Sequence, residues 1–176
     1  MHAVRRDDRT VVEEWAADRQ GLLVDVGCGP GHWTAHLAGR GHDVIGFDPV
    51  PRFVALARAA APDVDFRLGT VEATGLPAGT VAGVLSWYSL VHHDPERVPD
   101  ALAEVRRILA PGGGLLIGFF DGPTLEPFDH AVTTAYRWPV ARMAAVLDAT
   151  GFAVDAVHRR TDEGARPHAA VVAHRR

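Results

Sequence analysis

Two kinds of hydrophobic pattern alternate along the chain. Short apolar runs bounded by Gly, Pro or Asp predict buried strands at residues 22–26, 43–47, 64–68, 81–85 and 115–120. Between them, apolar residues recur at helical spacing, most clearly over 98–109, ahead of Pro111-Gly112-Gly113. Strands that alternate with helices predict βαβ crossovers and a mostly parallel sheet.

Helix boundaries are signalled in three further places. Pro51 and Pro139 each stand where a first helical turn begins, and Gly151 is placed to end the second of these helices. Thr10 and Glu13 have the spacing of a capping box, which predicts that a helix within residues 1–20 begins at Thr10.

The end of the chain differs from the rest. Two strand-like runs, 152–158 and 168–174, are separated only by the polar loop 159–167. That loop is too short for a crossover helix, so the last two strands are expected to pair antiparallel.

Composition and charge narrow the function classes. With 176 residues and no long linker, the chain is expected to form a single domain over 1–176. A net charge of −4 argues against nucleic-acid binding. The single cysteine, Cys28, excludes an internal disulfide and a multi-cysteine metal site. The charged N-terminus and the lack of a long apolar run favour a cytoplasmic protein with no membrane partner.

A glycine-rich loop carries the strongest functional signal. Gly27, Gly29 and Gly31 follow a predicted strand and precede a predicted helix. Such a turn needs residues without a Cβ, as does close approach of the backbone to a ligand, and the helix N-terminus offers free N–H groups. A purely structural turn is the alternative, but three alternating glycines favour ligand binding.

The loop does not match the phosphate-binding patterns. In the dinucleotide fingerprint G-x-G-x-x-G the third glycine comes one residue later, where this chain has His32. A P-loop requires a lysine, and the chain has none. The nearby Asp25 carboxylate would repel a pyrophosphate but suits a ligand with an ammonium group.

Asp48 is the second candidate for ligand contact. It ends the next predicted strand, 21 residues after Gly27, where nucleotide-binding βαβ units place an acid that accepts hydrogen bonds from ribose hydroxyls. The alternative is a helix N-cap ahead of Pro49-Val50-Pro51.

These segments resemble the class I S-adenosylmethionine-dependent methyltransferases, most closely the methyltransferase type 11 group. The resemblance covers nearly the whole chain and rests on five segments: the glycine loop 24–31, Asp48, 69–77 (with Glu72 and Leu76-Pro77), the strand end 85–93, and the helix-to-strand segment 103–113. It implies a Rossmann-like three-layer α/β sandwich whose seven-stranded, mostly parallel sheet has an antiparallel last strand.

The resemblance also implies S-adenosyl-L-methionine as the cofactor. The expected cofactor-binding residues are Asp25, Gly27, Cys28, Gly29, Gly31, Asp48, Pro49, Val71, Glu72, Ser86 and Trp87. The chain departs from the family where the adenine segment usually reads Gly-Asp-Ala, so that Thr70 or Glu72 must serve here.

The acceptor side of the predicted site offers two candidates for a proton acceptor. His92 and His93 are the catalytic candidates, because a weakly acidic acceptor must lose a proton and open α/β sheets bind ligands at the carboxyl ends of their strands. A capping or packed side chain is the alternative for each.

Substrate contacts are expected from Tyr88 and from the irregular, proline-rich segment 121–138, which supplies His130, Tyr136 and Arg137. Trp87 and Tyr88 would form a wall of the site, or else belong to the core. Arg137, Arg159, Arg160 and Arg166 are the cations that would converge on an anionic acceptor, unless they are simply solvated.

Three functional hypotheses remain open. The first is a methyltransferase that acts on a small-molecule acceptor, with an anionic acceptor as one option. The others are an NAD-type oxidoreductase and a cofactor-binding module without catalysis. Since little of the chain lies outside the expected core, either the acceptor is small or a second subunit of a homodimer closes the site.

Overall fold

A computed structural model describes residues 6–130, 133–161 and 164–176, with side chains from residue 8 onward. Its helices are α1 (Arg6–Ala17), α2 (His32–Gly39), α3 (Pro51–Ala60), α4 (Val98–Ile108) and α5 (Val140–Ala149). Its strands are β1 (Leu23–Val26), β2 (Val44–Asp48), β3 (Asp65–Leu68), β4 (Val81–Trp87), β5 (Leu109–Asp121), β6 (Glu126–Phe128), β7 (Ala135–Trp138), β8 (Phe152–Arg160) and β9 (His168–Arg175).

The strands form one mixed sheet. Its parallel part has the order β3-β2-β1-β4-β5, and β9 pairs antiparallel with β5 along residues 114–120. β8 then pairs antiparallel with β9, so it runs in the same direction as β5. These seven strands confirm the mostly parallel sheet and the antiparallel hairpin expected from the sequence.

Alternate residues of the central strands face two different helical layers. In β5, Leu115 and Ile117 pack with α4 and α5, whereas Leu116 packs with the layer that contains α1 and α2. Because both faces are covered, these strands are mostly apolar on both sides, as expected for a buried parallel sheet, and Asp25 and Ser86 are buried polar exceptions. The three-layer α/β architecture is therefore confirmed.

Two local expectations were wrong. The N-terminal helix already begins at Arg6, so Thr10 lies inside α1 and does not cap it. Glu13 faces α2 instead, where one carboxylate oxygen lies 2.8 Å from Nε2 of His36.

The segment 121–138 is also less irregular than expected. β6 and β7 form an antiparallel pair that extends the sheet where β5 ends, with Phe120 opposite Arg137. Among the described strands β6 pairs with β7 alone, and Pro127 is tolerated there because an outer strand leaves backbone N–H positions without a ladder partner. Within the described residues, no helix combines the length and the apolar character needed to cross a bilayer.

Candidate active site

The three positions of the loop between β1 and α2 require glycine for different structural reasons. A Cβ at Gly27 would overlap the side chain of Ser89, and one at Gly31 would lie 2.7 Å from the ring of Phe66. Packing therefore explains both of these glycines. Gly29, with φ of +55°, is different because a Cβ there would meet no atom within 4 Å. Gly29 thus borders open space, where a ligand can approach the backbone.

Asp48 fastens this loop from the end of β2. Its carboxylate accepts hydrogen bonds from the backbone N–H groups of Gly29 and Val50, both at 2.8 Å. The two bonds engage one lone pair on each oxygen, so each oxygen keeps a second acceptor position. Asp48 therefore positions the loop and still has the capacity to accept hydroxyl hydrogen bonds.

Asp25 lies beneath the loop. It is only 2% exposed and accepts a hydrogen bond of 2.7 Å from the Thr34 hydroxyl in α2. Burial raises the pKa of Asp25 to about 7, with a smaller contribution from the charge of Asp48 and an opposing effect of the Thr34 hydrogen bond. The hydrogen bond to Thr34 thus connects β1 to α2 on either side of the loop. Asp25 is not among the residues that line the neighbouring cavity.

Cys28 is buried within the same loop. Burial, reinforced by the charges of Asp25 and Asp48, raises the pKa of its thiol. The thiol therefore stays protonated and is not an activated nucleophile.

The expected adenine segment is held by one of the two candidate histidines. Val71 is buried in the core, and Glu72 follows it with a carboxylate oxygen 3.0 Å from Nε2 of His93. Burial alone would raise the pKa of Glu72, but its backbone, Thr70 and His93 interactions outweigh this effect and lower it. His93 therefore contacts the segment 71–72.

His92 points elsewhere. His92 ends a single turn of 3₁₀-helix, Leu90–His92, and His93 follows it. Successive side chains of such a turn point in widely different directions. Nδ1 of His92 lies 3.0 Å from the backbone oxygen of Thr134, and its ring is 5.3 Å from that of His130. The structure does not bring His92 and His93 together at one point.

A cavity of about 1010 Å³ lies beside the loop, at the carboxyl ends of β1, β4 and β5. This is the edge at which open α/β sheets bind ligands. The residues that line it are Asp8, Cys28, His32, Trp33, Trp87, Tyr88, Phe120, His130, Arg160, Gly164, Ala165, Arg166, Pro167 and His168.

Aromatic rings form a continuous row along this cavity. Trp33 contacts Trp87 edge-on with ring centroids 5.6 Å apart, and Trp87 contacts Tyr88 in the same way at 5.6 Å. Tyr88 then lies 5.0 Å from Phe120, which lies 5.5 Å from His130. The row connects the first turn of α2 to the segment after β6.

A cationic side chain lies at the far end of the row. Arg166 lies over the ring of Phe128, with its guanidinium carbon 4.6 Å from the ring centroid. Burial, followed by the charges of His92 and Arg166, lowers the pKa of His130. Arg160 also lines the cavity and forms an ion pair of 2.5 Å with Asp8 of α1.

The structure does not bring all four of the candidate arginines together at this cavity. Arg137 pairs with Glu126 at 2.7 Å, and Arg159 pairs with Asp121 at 3.4 Å. Neither of them is among the described residues that line the cavity beside the loop.

The remaining predicted site residues lie around this centre. Cys28, Trp87, Tyr88 and His130 line the cavity, whereas Tyr136 packs against the core and Pro49 is exposed. Ser86 is buried, with its hydroxyl 2.8 Å from that of Ser89. Sequence reasoning did not single out Trp33, Phe120 and His168. Their only signal was a position at the start or end of an element at this edge of the sheet.

Comparison with known proteins agrees with this architecture. The sequence profile of a methyltransferase domain family matches residues 23–113, which run from β1 into β5. An uncharacterized methyltransferase of Mycobacterium tuberculosis is 40% identical over 93 residues, which are 53% of this chain and 37% of the relative. A demethylmenaquinone methyltransferase of Renibacterium salmoninarum is 32% identical over 136 residues, covering 77% of this chain and 56% of the relative. The chain thus spans about a third to a half of the length of these curated relatives.

Solved structures share the fold over nearly the whole chain. A SAM-dependent methyltransferase of Methanosarcina mazei has a TM-score of 0.82 at 17% identity, covering 94% of this chain and 96% of its own. The 1,6-didemethyltoxoflavin-N1-methyltransferase of Burkholderia thailandensis, solved with 1,6-didemethyltoxoflavin and S-adenosylhomocysteine, has a TM-score of 0.82 at 22% identity and covers 97% of this chain and 77% of its own.

Proposed function

Because the chain belongs to the class I S-adenosylmethionine-dependent methyltransferase family, we propose that it transfers a methyl group from S-adenosyl-L-methionine to a small-molecule acceptor. The observation that carries the proposal is the open surface at Gly29 beside the fastened carboxylate of Asp48. A backbone without side-chain obstruction and an acid with remaining acceptor positions suit a nucleoside without phosphates.

The residues around the loop fit this cofactor. Asp48 would accept hydrogen bonds from the ribose hydroxyls, and Gly29 would let the ligand lie against the backbone. Val71 and Glu72 would border the adenine, with Glu72 held in place by His93. Asp25 would support the loop from below rather than contact the cofactor directly, since its carboxylate accepts a hydrogen bond from Thr34.

The cavity beside Cys28 would hold the acceptor. Bound S-adenosylmethionine supplies an electrophilic methyl group on a sulfonium. The protein contributes chiefly by placing the acceptor atom at attack distance inside a partly enclosed site. An anionic acceptor is favoured because Arg166 and several histidines line the cavity, while the carboxylate of Asp8 is already paired with Arg160.

A proton acceptor is needed if the methyl goes to a weakly acidic group. His92 and His93, the candidates from the sequence, are bonded to Thr134 and Glu72 and do not line the cavity. Tyr88 and His168 both line it and are hydrogen-bonded to each other at 2.6 Å. This pair is therefore better placed to remove a proton from the acceptor.

Ligand binding and product formation test the proposal separately. Calorimetry should detect S-adenosylhomocysteine binding to the wild-type protein, and Asp48→Asn should weaken it by about tenfold through loss of a charge-assisted hydrogen bond. NADH should not bind at the same site. Incubation with S-adenosylmethionine and a panel of small acceptors should then release S-adenosylhomocysteine.

Two results would count against the proposal. Tight binding of NADH without binding of S-adenosylhomocysteine would favour an oxidoreductase. Binding of S-adenosylhomocysteine without product from any acceptor would favour a non-catalytic binding module. A cytoplasmic location and a homodimer that completes the acceptor cavity are also part of the proposal, and light scattering of the purified protein with and without ligand tests the second.

A further inference from the structure

The cavity beside the glycine loop has two chemically different parts. One wall is the aromatic row that begins at Trp33 and passes through Trp87 and Tyr88. At the other end lie His130 and Arg166, next to the ring of Phe128. A ligand that fills the cavity would therefore contact aromatic rings along one wall and a cationic group at the opposite end of the cavity.

Among the described residues that line the cavity, arginines outnumber carboxylates. Asp8 is the one acidic side chain among the residues that line it in the described part of the chain, and it is paired with Arg160. Arg166 forms no ion pair with a carboxylate of the described residues. Its guanidinium is one of the charges that lower the pKa of His130, which places the two groups within electrostatic reach. Among the described residues, Arg166 thus gives this end of the cavity a positive charge that no carboxylate pairs with.

A planar fork of donors next to an imidazole is suited to a carboxylate. Arg presents parallel N–H groups that match the two oxygens of a carboxylate, and neutral or protonated imidazole adds a further donor. The aromatic row is suited to a flat ring, because edge-to-face and offset contacts stabilise aromatic pairs beyond simple burial of area. The volume of about 1010 Å³ accommodates an acceptor of one or two rings.

We propose that the acceptor is an aromatic carboxylic acid, with its ring against Trp33, Trp87 and Tyr88 and its carboxylate at Arg166 and His130. This inference rests on the proposed function, because it assigns the cavity to the methyl acceptor. It goes further by naming the chemical class of acceptor and the residues that would select it.

Direct binding tests the inference without requiring turnover. Calorimetry with 4-hydroxybenzoate and with 1-hydroxy-2-naphthoate, in the presence and absence of S-adenosylhomocysteine, should detect binding of at least one of these acids. Each matching amide keeps the ring but loses the charge, and it should bind about tenfold more weakly. Cyclohexanecarboxylate keeps the charge but loses the flat ring, and it should also bind more weakly.

Two pairs of variants locate the binding site. Arg166→Gln should reduce the affinity for the acids to that of the amides, whereas Arg142→Gln, which removes an exposed arginine on α5, should leave it unchanged. Trp33→Leu should weaken binding, and Trp33→Phe, which keeps a ring, should largely preserve it.

The outcomes separate this inference from the proposed function. Failure of both acids to bind, equal affinity for acid and amide, or an unchanged affinity in Arg166→Gln would each overturn it. If S-adenosylhomocysteine still binds in those cases, the methyltransferase proposal stands without it. If S-adenosylhomocysteine does not bind while the acids do, the proposed function fails and the cavity remains an aromatic-acid site.

Discussion

The phenolic oxygen of Tyr88 lies 2.6 Å from Nδ1 of His168, a residue that is 80 positions away in the sequence. Tyr88 has φ of +57°, a left-handed backbone conformation that costs a non-glycine residue about 1–2 kcal/mol. Its backbone N–H nevertheless donates to the carbonyl of Gly118 at 2.9 Å, so the strain occurs while β4 and β5 stay paired. Strain of this kind is often found where a side chain is held for function.

Tyr88→Phe should separate catalysis from binding. The variant loses the hydroxyl that contacts His168 but keeps the ring that packs on Phe120. With an acceptor that carries a weakly acidic hydroxyl, kcat should fall by about 10²-fold because proton removal is impaired. The affinity for S-adenosylhomocysteine, measured by calorimetry, should change by less than about twofold, since Tyr88 is not among the expected cofactor contacts. An unchanged kcat with the same acceptor would exclude this role.

Gly29→Ala should impair cofactor binding more than it impairs folding. The new Cβ projects into open space, so it creates no internal clash, and the cost to stability is the left-handed φ, about 1–2 kcal/mol. The same Cβ would stand where the ligand is expected to lie against the loop, and affinity for S-adenosylhomocysteine should fall by tenfold or more.

Gly41→Ala is the matched control for this prediction. Gly41 also has positive φ, +90°, with no atom within 4 Å of an added Cβ, but it lies after α2 and away from the loop. It should show a similar loss of stability in urea denaturation and no loss of affinity. Equal affinities of the two variants would mean that Gly29 does not border the cofactor.

Gly27→Ala, in contrast to Gly29→Ala, should mainly lower the free energy of unfolding. Its Cβ would overlap the side chain of Ser89, so the turn after β4 must shift, and overpacking of this kind costs about 1–3 kcal/mol in addition to backbone strain. Removing the obstructing side chain in Gly27→Ala/Ser89→Gly should recover part of the loss. Urea denaturation of the two single variants and the double variant gives the coupling energy, and additive losses would refute the contact.

The sheet and the glycine loop were predictable from the sequence because local signals determine them. The apolar runs at β1 and β2 end at a glycine turn and at Asp48, and such boundaries depend on residues that are neighbours in the chain. β6 carried no comparable signal, since Glu126-Pro127-Phe128 has one apolar aromatic residue and pairs only with β7.

The composition of the cavity was less predictable because it depends on contacts between distant elements. Trp33, Tyr88, Phe120 and His168 come from α2, the turn after β4, β5 and β9, and no spacing in the sequence relates them. The rule that ligands bind at the carboxyl ends of parallel strands gave the correct edge but not the side chains that meet there. Adjacency in sequence was misleading for His92 and His93, because a 3₁₀ turn separates their directions.

The buried carboxylate of Asp25 should make stability depend on pH. The pKa of an unfolded aspartate is about 4, whereas burial raises the pKa of Asp25 in the folded protein to about 7. Between these two values the unfolded chain has lost the proton and the folded protein retains it, so raising the pH lowers the free energy of unfolding, by at most about 1.4 kcal/mol per pH unit. Above the folded-state pKa this contribution is constant.

Asp25→Asn cannot ionise and keeps an oxygen acceptor for the Thr34 hydroxyl. Urea denaturation at about pH 4.5 and about pH 7.5 should therefore show a smaller decrease for the variant than for the wild type. If the two proteins lose the same free energy over this interval, Asp25 is not protonated in the folded state at the lower pH.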